Sequence, residues 1–255
     1  MKNGIRRIHL LDELRGFAII CMVVHHAFFD AGFVLGSQTG YKIFDALCVF
    51  QPIFWTIFIV ISGICSRLSK NTVRRGIIVF AAGGAVTLVT AVIMPLMNIT
   101  GAQIYFGVLS CLGSCMIITG LFMKLIKKAN EKIGMAVSFA LFLLTYSVSD
   151  KSLLFGLIKL PEALYQSNAL APLGFYSSTF ASADYFPLLP WFFMFLFGAF
   201  LGKYAKDEAL PESFYKIRCK LLSKIGKNSL WVYLFHQPVL YLIMYIISFI
   251  QLIFI

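Results

Sequence analysis

Seven long apolar segments, separated by polar linkers, make up most of the chain. They lie at residues 14–34, 46–66, 76–97, 103–123, 133–149, 186–202 and 229–253. A helix needs about 20 mostly apolar residues to cross the hydrocarbon core of a bilayer. The pattern therefore predicts an all-α fold, a polytopic membrane helix bundle with about seven transmembrane helices.

Composition supports an integral membrane protein. Of the 255 residues, 60% are hydrophobic and 13% are charged, whereas soluble domains average about 45–50% and about 25%. Because the length leaves no room for a large soluble domain beside the spans, we expect one integral-membrane domain over residues 1–255. The first apolar segment is followed by polar residues rather than by a small-residue cleavage site, and we interpret it as a retained span.

The basic residues indicate the orientation in the membrane. All but three of the 22 Lys and Arg residues lie in the N-terminal arm or in alternate linkers. Lys and Arg collect in cytoplasmic loops, so this alternation predicts a multi-pass protein of the plasma membrane with its N-terminus in the cytoplasm. The net charge of +11 follows from the same distribution, and we expect no nucleic-acid partner.

The linker over residues 151–185 is long and weakly charged. Loops of this length are usually functional or disordered, and its aromatic content argues against disorder. We predict an outer loop or a re-entrant segment.

Polar residues interrupt the first apolar segment in the stretch MVVHHAFFD. His26 follows Arg15 by about 16 Å along a helix axis, which places it past the middle of the bilayer. Asp30 lies one turn further on the same face, whereas His25 points about 100° away. A carboxylate beside an imidazole fixes its tautomer, as in acyl-transfer enzymes, and polar groups inside a membrane are usually functional. We predict that His26 and Asp30 are catalytic, with a structural pair as the alternative, and that His25 is a packing residue.

The seventh segment carries a second polar set in NSLWVYLFHQP. His236 and Gln237 lie about 12–14 Å from its inner end, and we expect Pro238 to kink the helix there. His236 then reaches the depth of His26. We assign His236 and Gln237 to cofactor binding, and a structural interhelical hydrogen bond is the alternative.

Basic residues surround the predicted cytoplasmic ends of the spans. Guanidinium and ammonium groups bind phosphates, so Arg15, Arg67 and Lys227 are candidates to bind a phosphate-rich cytosolic cofactor. Topology alone accounts for most of the basic residues, and Arg15 ranks first because it lies at the lip of the bundle. The six cysteines form no CxxC pair, and we predict free thiols and no metal site.

Several motifs, taken in order, resemble a known family. Arg15 and His26 are separated by ten residues, which matches the Arg-x10-His motif of the membrane acyltransferase-3 proteins. The fuller resemblance is to a related family, the bacterial proteins similar to the catalytic domain of heparan-alpha-glucosaminide N-acetyltransferase. The motifs that carry it are RIHLLDELRG, HAFFD, FIVISGI, IYFGVL, DYFPLLPW and NSLWVYLFHQP. The resemblance covers nearly the whole chain.

The resemblance implies that an acetyl group from cytosolic acetyl-CoA is delivered to an amino or hydroxyl group of a sugar on the outer side. It also implies that Asp184, Tyr185 and Trp191, at the predicted outer mouth, bind the sugar; an interfacial aromatic belt is the alternative. His26 acts either as a general base or as an acyl carrier. We favour direct transfer, because a pantetheine arm reaches His26 from the inside.

Two functions of other classes compete with this interpretation. A small bundle with histidine, aspartate and glutamine inside the membrane suits a transporter of a small solute or of protons, but we find no inverted repeat with paired broken helices. The other is a non-catalytic lipid-binding or assembly subunit. As partners we expect a sugar or glycan acceptor and membrane lipid, and we leave formation of a homo-oligomer open.

Overall fold

The computed structural model describes residues 6–99 and 101–254 and confirms the predicted all-α polytopic helix bundle. In chain order, the helices are α1 (His9–Leu35), α2 (Gln38–Cys48), α3 (Gln51–Leu68), α4 (Thr72–Leu88), α5 (Met94–Leu96), α6 (Val108–Leu121), α7 (Met123–Lys128), α8 (Glu131–Thr145), α9 (Leu188–Lys206), α10 (Lys220–Lys227) and α11 (Ser229–Phe254). A π-helical turn over Val89–Ile93 joins α4 to α5. Two short strands, β1 (Ser152–Leu153) and β2 (Ile158–Lys159), pair antiparallel.

Each predicted apolar segment contains a helix of the structure. Six stretches are long and apolar enough to cross a membrane, namely His9–Leu35, Gln51–Leu68, Thr72–Leu96, Glu131–Asp150, Leu188–Lys206 and Ser229–Leu252. The seventh, α6, has 14 residues and is about 21 Å long, shorter than a hydrocarbon core of about 30 Å. The chain is a multi-pass membrane protein, and its cytoplasmic N-terminus stays a prediction.

Helices α2, α7 and α10 lie mostly where the sequence predicts linkers. α2 begins after Ser37, whose hydroxyl oxygen accepts a hydrogen bond of 3.1 Å from the N–H of Gly40, as an N-cap residue does. Because α2 ends at Cys48, the predicted segment 46–66 contains the end of α2 and most of α3. α10 has only eight residues, fewer than the mean helix of about 11–12 residues.

The predicted segment 103–123 is wrong over its first five residues, which are not helical. The carbonyl oxygens of Gln103 and Phe106 each accept a hydrogen bond of 2.9 Å, from the N–H groups of Ala183 and Phe186. These long-range bonds occupy carbonyls that a helix would use for itself. As a result α6 begins only at Val108.

The chain folds into two compact units, and the boundary between them falls inside α3. The first unit contains the described residues up to Phe58 and from Leu210 onward, and the second contains Ile59–Ala209. The prediction of one integral-membrane domain over residues 1–255 stays a prediction.

In the first unit, α1 packs against α2, α10 and α11. α1 and α10 approach so closely that glycine is required on both sides. A Cβ atom at Gly16 would overlap the carbonyl oxygen of Leu222, and one at Gly226 would overlap the carbonyl oxygen of Asp12. Small residues at helix contacts allow this close packing between membrane helices.

Acidic side chains fix the chain that leads into α10. Glu13 Oε1 accepts hydrogen bonds of 2.7 and 3.0 Å from the backbone N–H groups of Arg218 and Cys219, and Cys219 is the N-cap residue of α10. At the surface, Arg6 Nη1 and Nη2 donate to the two carboxylate oxygens of Glu212 at 2.7 and 2.8 Å. The hydrogen bonds from Arg6 lower the pKa of Glu212.

In the second unit, α4 packs on α6, and α9 packs on both α6 and α8. The part of α3 in this unit meets α9 through another pair of glycines. A Cβ atom at Gly63 would overlap the Phe195 carbonyl oxygen, and one at Gly198 would overlap the Val60 carbonyl oxygen. Aromatic and sulfur-containing side chains fill the core, among them Cys111, Cys115, Trp191, Met194 and Phe195.

The linker over residues 151–185 is folded around the β1–β2 hairpin and several 3-10 turns. Tyr165 is buried and donates its hydroxyl hydrogen to the carbonyl oxygen of Val148. Burial raises the pKa of Tyr165. The segment's predicted position, as an outer loop or a re-entrant segment, stays a prediction.

α11 presents many large apolar side chains outward. Trp231, Phe235, Leu242, Tyr245 and Phe249 are between 58% and 63% exposed. Such a surface would be unfavourable in water, but lipid tails are as apolar as these side chains. Membrane lipid as a partner of the chain stays a prediction.

We expect Gly16→Ala to destabilise the protein, because the added methyl group would overlap the backbone of α10. Overpacking of this kind costs about 1–3 kcal/mol, and the thermal unfolding midpoint of the detergent-solubilised protein should fall. Gly84→Ala is the matched control: a Cβ at Gly84 meets nothing within 4 Å, and alanine favours a helix over glycine by about 0.5–1 kcal/mol. Equal unfolding midpoints for the two variants would contradict the close approach of α1 and α10.

Candidate functional site

Four polar side chains meet inside the first unit, where α1 contacts α11. They are His26 and Asp30 of α1 and His236 and Gln237 of α11. His26 lies about 16 Å along the axis beyond Arg15, and His236 about 12 Å beyond Asn228. Both helices are long and apolar enough to cross a membrane, so this polar cluster lies within membrane-spanning segments.

Asp30 and Gln237 form the hydrogen-bonded contact of the polar cluster. Gln237 Nε2 donates to Asp30 Oδ1 at 3.0 Å and to Oδ2 at 3.1 Å. Asp30 is only 1% exposed. A carboxylate in such a place is strongly unfavourable without a partner, so this contact holds α11 against α1 at a defined depth.

The two histidines of the polar cluster lie side by side. The ring centroids of His26 and His236 are 5.1 Å apart, and the ring planes are inclined by 54°. His236 Nδ1 is 2.6 Å from the carbonyl oxygen of Tyr233. His236 Nε2 and Gln237 Oε1 are buried, and no hydrogen-bond partner for them lies among the described residues.

His25 faces a different set of neighbours. It is buried, its Nε2 lies 3.5 Å from Cys48 Sγ, and its ring centroid is 4.6 Å from that of Phe44. Both neighbours belong to α2. Burial raises the pKa of the Cys48 thiol, and the charge of Asp45 acts in the same direction, so the thiol is the favoured form.

The sequence predicts Asp30 as the group that orients His26. The hydrogen bonds of Asp30 go instead to Gln237, and within the described residues His26 makes ring contacts with His25 and His236. The two side chains share a face of α1, as the spacing predicts. The catalytic roles of His26 and Asp30 stay predictions.

The end of α1 that carries Arg15 is rich in charge. Arg15 Nη1 lies 3.8 Å from Asp12 Oδ1, and Arg7 Nε donates to Asp12 Oδ2 at 2.9 Å. Gly226 lies against Asp12, so α10 brings the exposed Lys227 to the same end of α1. Arg15 and Lys227 are each next in sequence to one of the two glycines, Gly16 and Gly226, at which α1 and α10 approach each other.

Arg67 lies in the last turn of α3, within the second unit. The residue is 8% exposed, and its Nε and Nη1 atoms are buried without a hydrogen-bond partner among the described residues. In the same unit, Glu131 pairs with Lys203 at 3.1 Å. A buried guanidinium with unused N–H groups is a ready partner for an anion.

The three predicted sugar-binding residues belong to the second unit and have structural contacts. Asp184 Oδ2 accepts a hydrogen bond of 3.3 Å from the N–H of Val108, where a carboxylate favours a helix start. The Tyr185 hydroxyl donates to the Ala171 carbonyl oxygen at 2.6 Å, and burial raises the pKa of Tyr185. Trp191 is buried. Their role in binding a sugar stays a prediction.

Sequence reasoning misses two groups that shape these sites. The Tyr233 carbonyl oxygen contacts His236, and the spacing of three residues on a helix is the signal that could have found it. Glu13 holds the start of α10, a long-range contact without a local signal. Among the described residues, no group of three or more His, Cys, Asp or Glu side chains is placed to hold a metal ion.

Comparison with known proteins supplies the family. The family model described as heparan-alpha-glucosaminide N-acetyltransferase, catalytic, matches residues 7–238. No curated protein and no solved structure matches the chain significantly. The matched range includes all four residues of the polar cluster. The chain thus belongs to the family of the heparan-alpha-glucosaminide N-acetyltransferase catalytic domain, a family of membrane acetyltransferases.

Proposed function

We propose that this protein is a transmembrane acetyltransferase that moves an acetyl group from cytosolic acetyl-CoA to an amino or hydroxyl group of a sugar on the extracytoplasmic side. The observation that carries the proposal is the polar cluster of His26, Asp30, His236 and Gln237 within two membrane-spanning helices. Polar groups at such a depth are rare and are usually functional. Membership of an acetyltransferase family gives the cluster its reaction class.

The balance of donors and acceptors in the polar cluster supports an acceptor that brings N–H or O–H groups. Asp30, Gln237 Oε1 and His236 Nε2 are all acceptors, whereas the donor that reaches Asp30 is the amide nitrogen of Gln237. A buried acceptor without a donor costs about 1–3 kcal/mol. An amine or a hydroxyl supplies the missing donors, whereas an ester or ether would not.

Basic residues support a phosphate-rich donor substrate. We propose that Arg15 and Lys227 bind phosphate groups of acetyl-CoA in the first unit, where α10 brings them to one end of α1. Arg67 is proposed for the same role on the strength of its buried, unpartnered N–H groups. Charge-assisted hydrogen bonds to phosphate are stronger than those between neutral groups.

Two mechanisms are compatible with His26. In direct transfer, His26 takes the proton of the acceptor, the acceptor atom bonds to the thioester carbonyl carbon, and the breaking C–S bond leaves a CoA thiolate that receives the proton. In the relay, a nitrogen of His26 forms the acyl bond as the thiolate leaves, and the acceptor then attacks the acetyl-imidazole. We favour direct transfer because the acetyl group then moves only once, from CoA to the acceptor.

We propose that Asp184, Tyr185 and Trp191 contribute to the sugar site. The Tyr185 hydroxyl already donates a hydrogen bond to the backbone carbonyl of Ala171. We therefore propose that the Tyr185 ring, rather than its hydroxyl, contacts the sugar. The centroid of this ring lies 5.0 Å from the ring centroids of Tyr176 and Phe180. An aromatic face of this kind suits the apolar side of a pyranose ring. Plasma-membrane residence belongs to the same proposal, because an envelope glycan would be reached from there.

We expect His26→Ala to lower the rate of acetyl transfer from radiolabelled acetyl-CoA to amino sugars by a factor of about 100 or more, the usual worth of a general acid–base group. The variant should still insert and bind acetyl-CoA. His25→Ala is the matched control: it removes an imidazole from the adjacent position, whose hydrogen-bond neighbour, Cys48, and nearest ring, that of Phe44, both belong to α2. Wild-type-like acetyl transfer by His26→Ala would contradict a catalytic role for His26. Proton flux through the wild-type protein without acetyl transfer would favour a transporter.

Arg15→Ala should weaken acetyl-CoA binding by a factor of about 10 or more, because a hydrogen bond to a charged group contributes about 1.5–3 kcal/mol. Isothermal titration calorimetry on the detergent-solubilised protein measures this dissociation constant. Arg75→Ala, which removes an exposed arginine at the start of α4, is the control and should leave the affinity unchanged. An unchanged dissociation constant for Arg15→Ala would remove this residue from the donor-substrate site.

Arg67→Met should have opposite effects on the free and the bound protein. Because two guanidinium nitrogens are buried without partners among the described residues, their removal relieves a desolvation cost, and the unfolding midpoint of the free protein should stay level or rise. The stabilisation that acetyl-CoA gives to the wild type should shrink. A lower midpoint together with an undiminished acetyl-CoA shift would show that Arg67 serves the fold rather than the ligand.

A further inference from the structure

We infer that His236 is a second catalytic residue of the polar cluster: its Nε2 takes the proton of the acceptor nucleophile, and the carbonyl oxygen of Tyr233 keeps the imidazole in the form that does so. The inference rests on the proposed function, because it assigns one step of acetyl transfer to a residue. It also replaces the role that the sequence predicts for His236, which is cofactor binding.

The contact with Tyr233 fixes the tautomer of His236. A carbonyl oxygen can only accept a hydrogen bond, so His236 Nδ1, at 2.6 Å, must carry the hydrogen. In the neutral imidazole the other nitrogen, Nε2, then has a lone pair and no hydrogen. This is the form of histidine that accepts a proton at Nε2.

The environment of Nε2 leaves this lone pair unused. Nε2 is buried, and across residues 6–99 and 101–254 it has no hydrogen-bond partner. A buried acceptor without a donor is costly, and a catalytic role is one of the explanations for such a group in a native structure. The N–H or O–H of an acceptor would satisfy Nε2 and would at the same time place its proton for transfer.

His26 lacks a comparable restraint. Among the described residues it contacts the rings of His25 and His236, with no hydrogen bond that selects one of its two neutral tautomers. The rings of His26 and His236 are only 5.1 Å apart, so a proton on one disfavours a proton on the other. The restrained imidazole, His236, is therefore the better base. In direct transfer it takes the acceptor's proton in place of His26, whose ring contacts that of His236.

Gln237 and Asp30 hold His236 in place. The two hydrogen bonds from Gln237 to Asp30 attach α11 to α1 at the residue next to His236. Gln237 is therefore a positioning residue for His236, because it sets the depth at which Nε2 meets the acceptor.

The proposed step is balanced in atoms and charge. The acceptor nitrogen or oxygen bonds to the carbonyl carbon of the thioester while its proton moves to His236 Nε2. The C–S bond then breaks, and the CoA sulfur takes the proton from Nε2. The products are the acetylated acceptor and CoA thiol, and His236 returns to its neutral Nδ1–H form.

His236→Asn tests the step, because the asparagine amide nitrogen takes the position of Nδ1 and retains a donor for the Tyr233 carbonyl while Nε2 is lost. With glucosamine as acceptor, kcat should fall by a factor of about 100 or more, as expected for removal of a general base. The acetyl-CoA dissociation constant should not change. Hydroxylamine, a small nucleophile that attacks thioesters without a base, should be acetylated with a much smaller loss.

His25→Asn is the matched control, because His25 contacts α2 and the ring of His26 but, among the described residues, neither His236 nor Gln237. It should acetylate both acceptors like the wild type. The inference would be overturned if His236→Asn lost acetylation activity equally with glucosamine and with hydroxylamine, or if it kept near-wild-type activity with glucosamine. In both cases the proposed function would stand. A wild type that acetylates neither acceptor would overturn the proposed function and this step with it.

The tautomer has a test that does not depend on activity. In wild-type protein labelled with ¹⁵N-histidine, the two signals that vanish in His236→Asn should be those of a protonated Nδ1 and an unprotonated Nε2. The opposite assignment, with the hydrogen on Nε2, would overturn the inference.

Discussion

The hydrogen bonds between Gln237 and Asp30 are the interaction on which the rest of the candidate site depends. Asp30 is almost fully buried in a membrane-spanning helix, and its carboxylate oxygens both accept from one amide group. A buried carboxylate without a partner would be strongly unfavourable. The hydrogen bonds from Gln237 to Asp30 therefore hold α11 against α1 at one depth. α11 is otherwise a largely exposed apolar helix, so without this polar attachment little would fix where His236 meets His26.

The close approach of α1 and α10 organises the opposite end of α1 by a different kind of contact. Gly16 and Gly226 leave the two helices separated by backbone alone, and Glu13 holds the N–H groups at the start of α10. The lysines of α10 are thereby brought to the end of α1 that carries Arg15. Basic residues that the positive-inside pattern explains one by one are thereby brought to one end of α1, and a group of cations suits the phosphates of the proposed acetyl-CoA substrate.

The structure changes the meaning of several polar residues. Asp30, expected beside His26, bonds to Gln237 instead, and His236 has its own partner in the Tyr233 carbonyl. The cluster therefore contains two imidazoles in unequal situations, one restrained and one not. In the second unit, Asp184 caps α6 while Arg67 is buried with N–H groups that no described residue uses. Asp184, which the motif resemblance assigns to sugar binding, therefore has a structural contact at the start of α6. Arg67, which its charge makes a candidate for phosphate binding, has buried N–H groups without a partner among the described residues.

Sequence by itself determined the fold class, the positions of the apolar spans and the family, because hydrophobic length and ordered motifs are local properties of the chain. It also placed His26 and Asp30 on one face of α1, since helical spacing fixes that. It could not find α2 or α10, whose extents depend on an N-cap and on long-range contacts, or the non-helical residues before Val108, whose carbonyls bond to a distant segment. Only the tertiary structure decided which polar groups pair, because a hydrogen bond between α1 and α11 joins residues 207 positions apart and no local pattern encodes it.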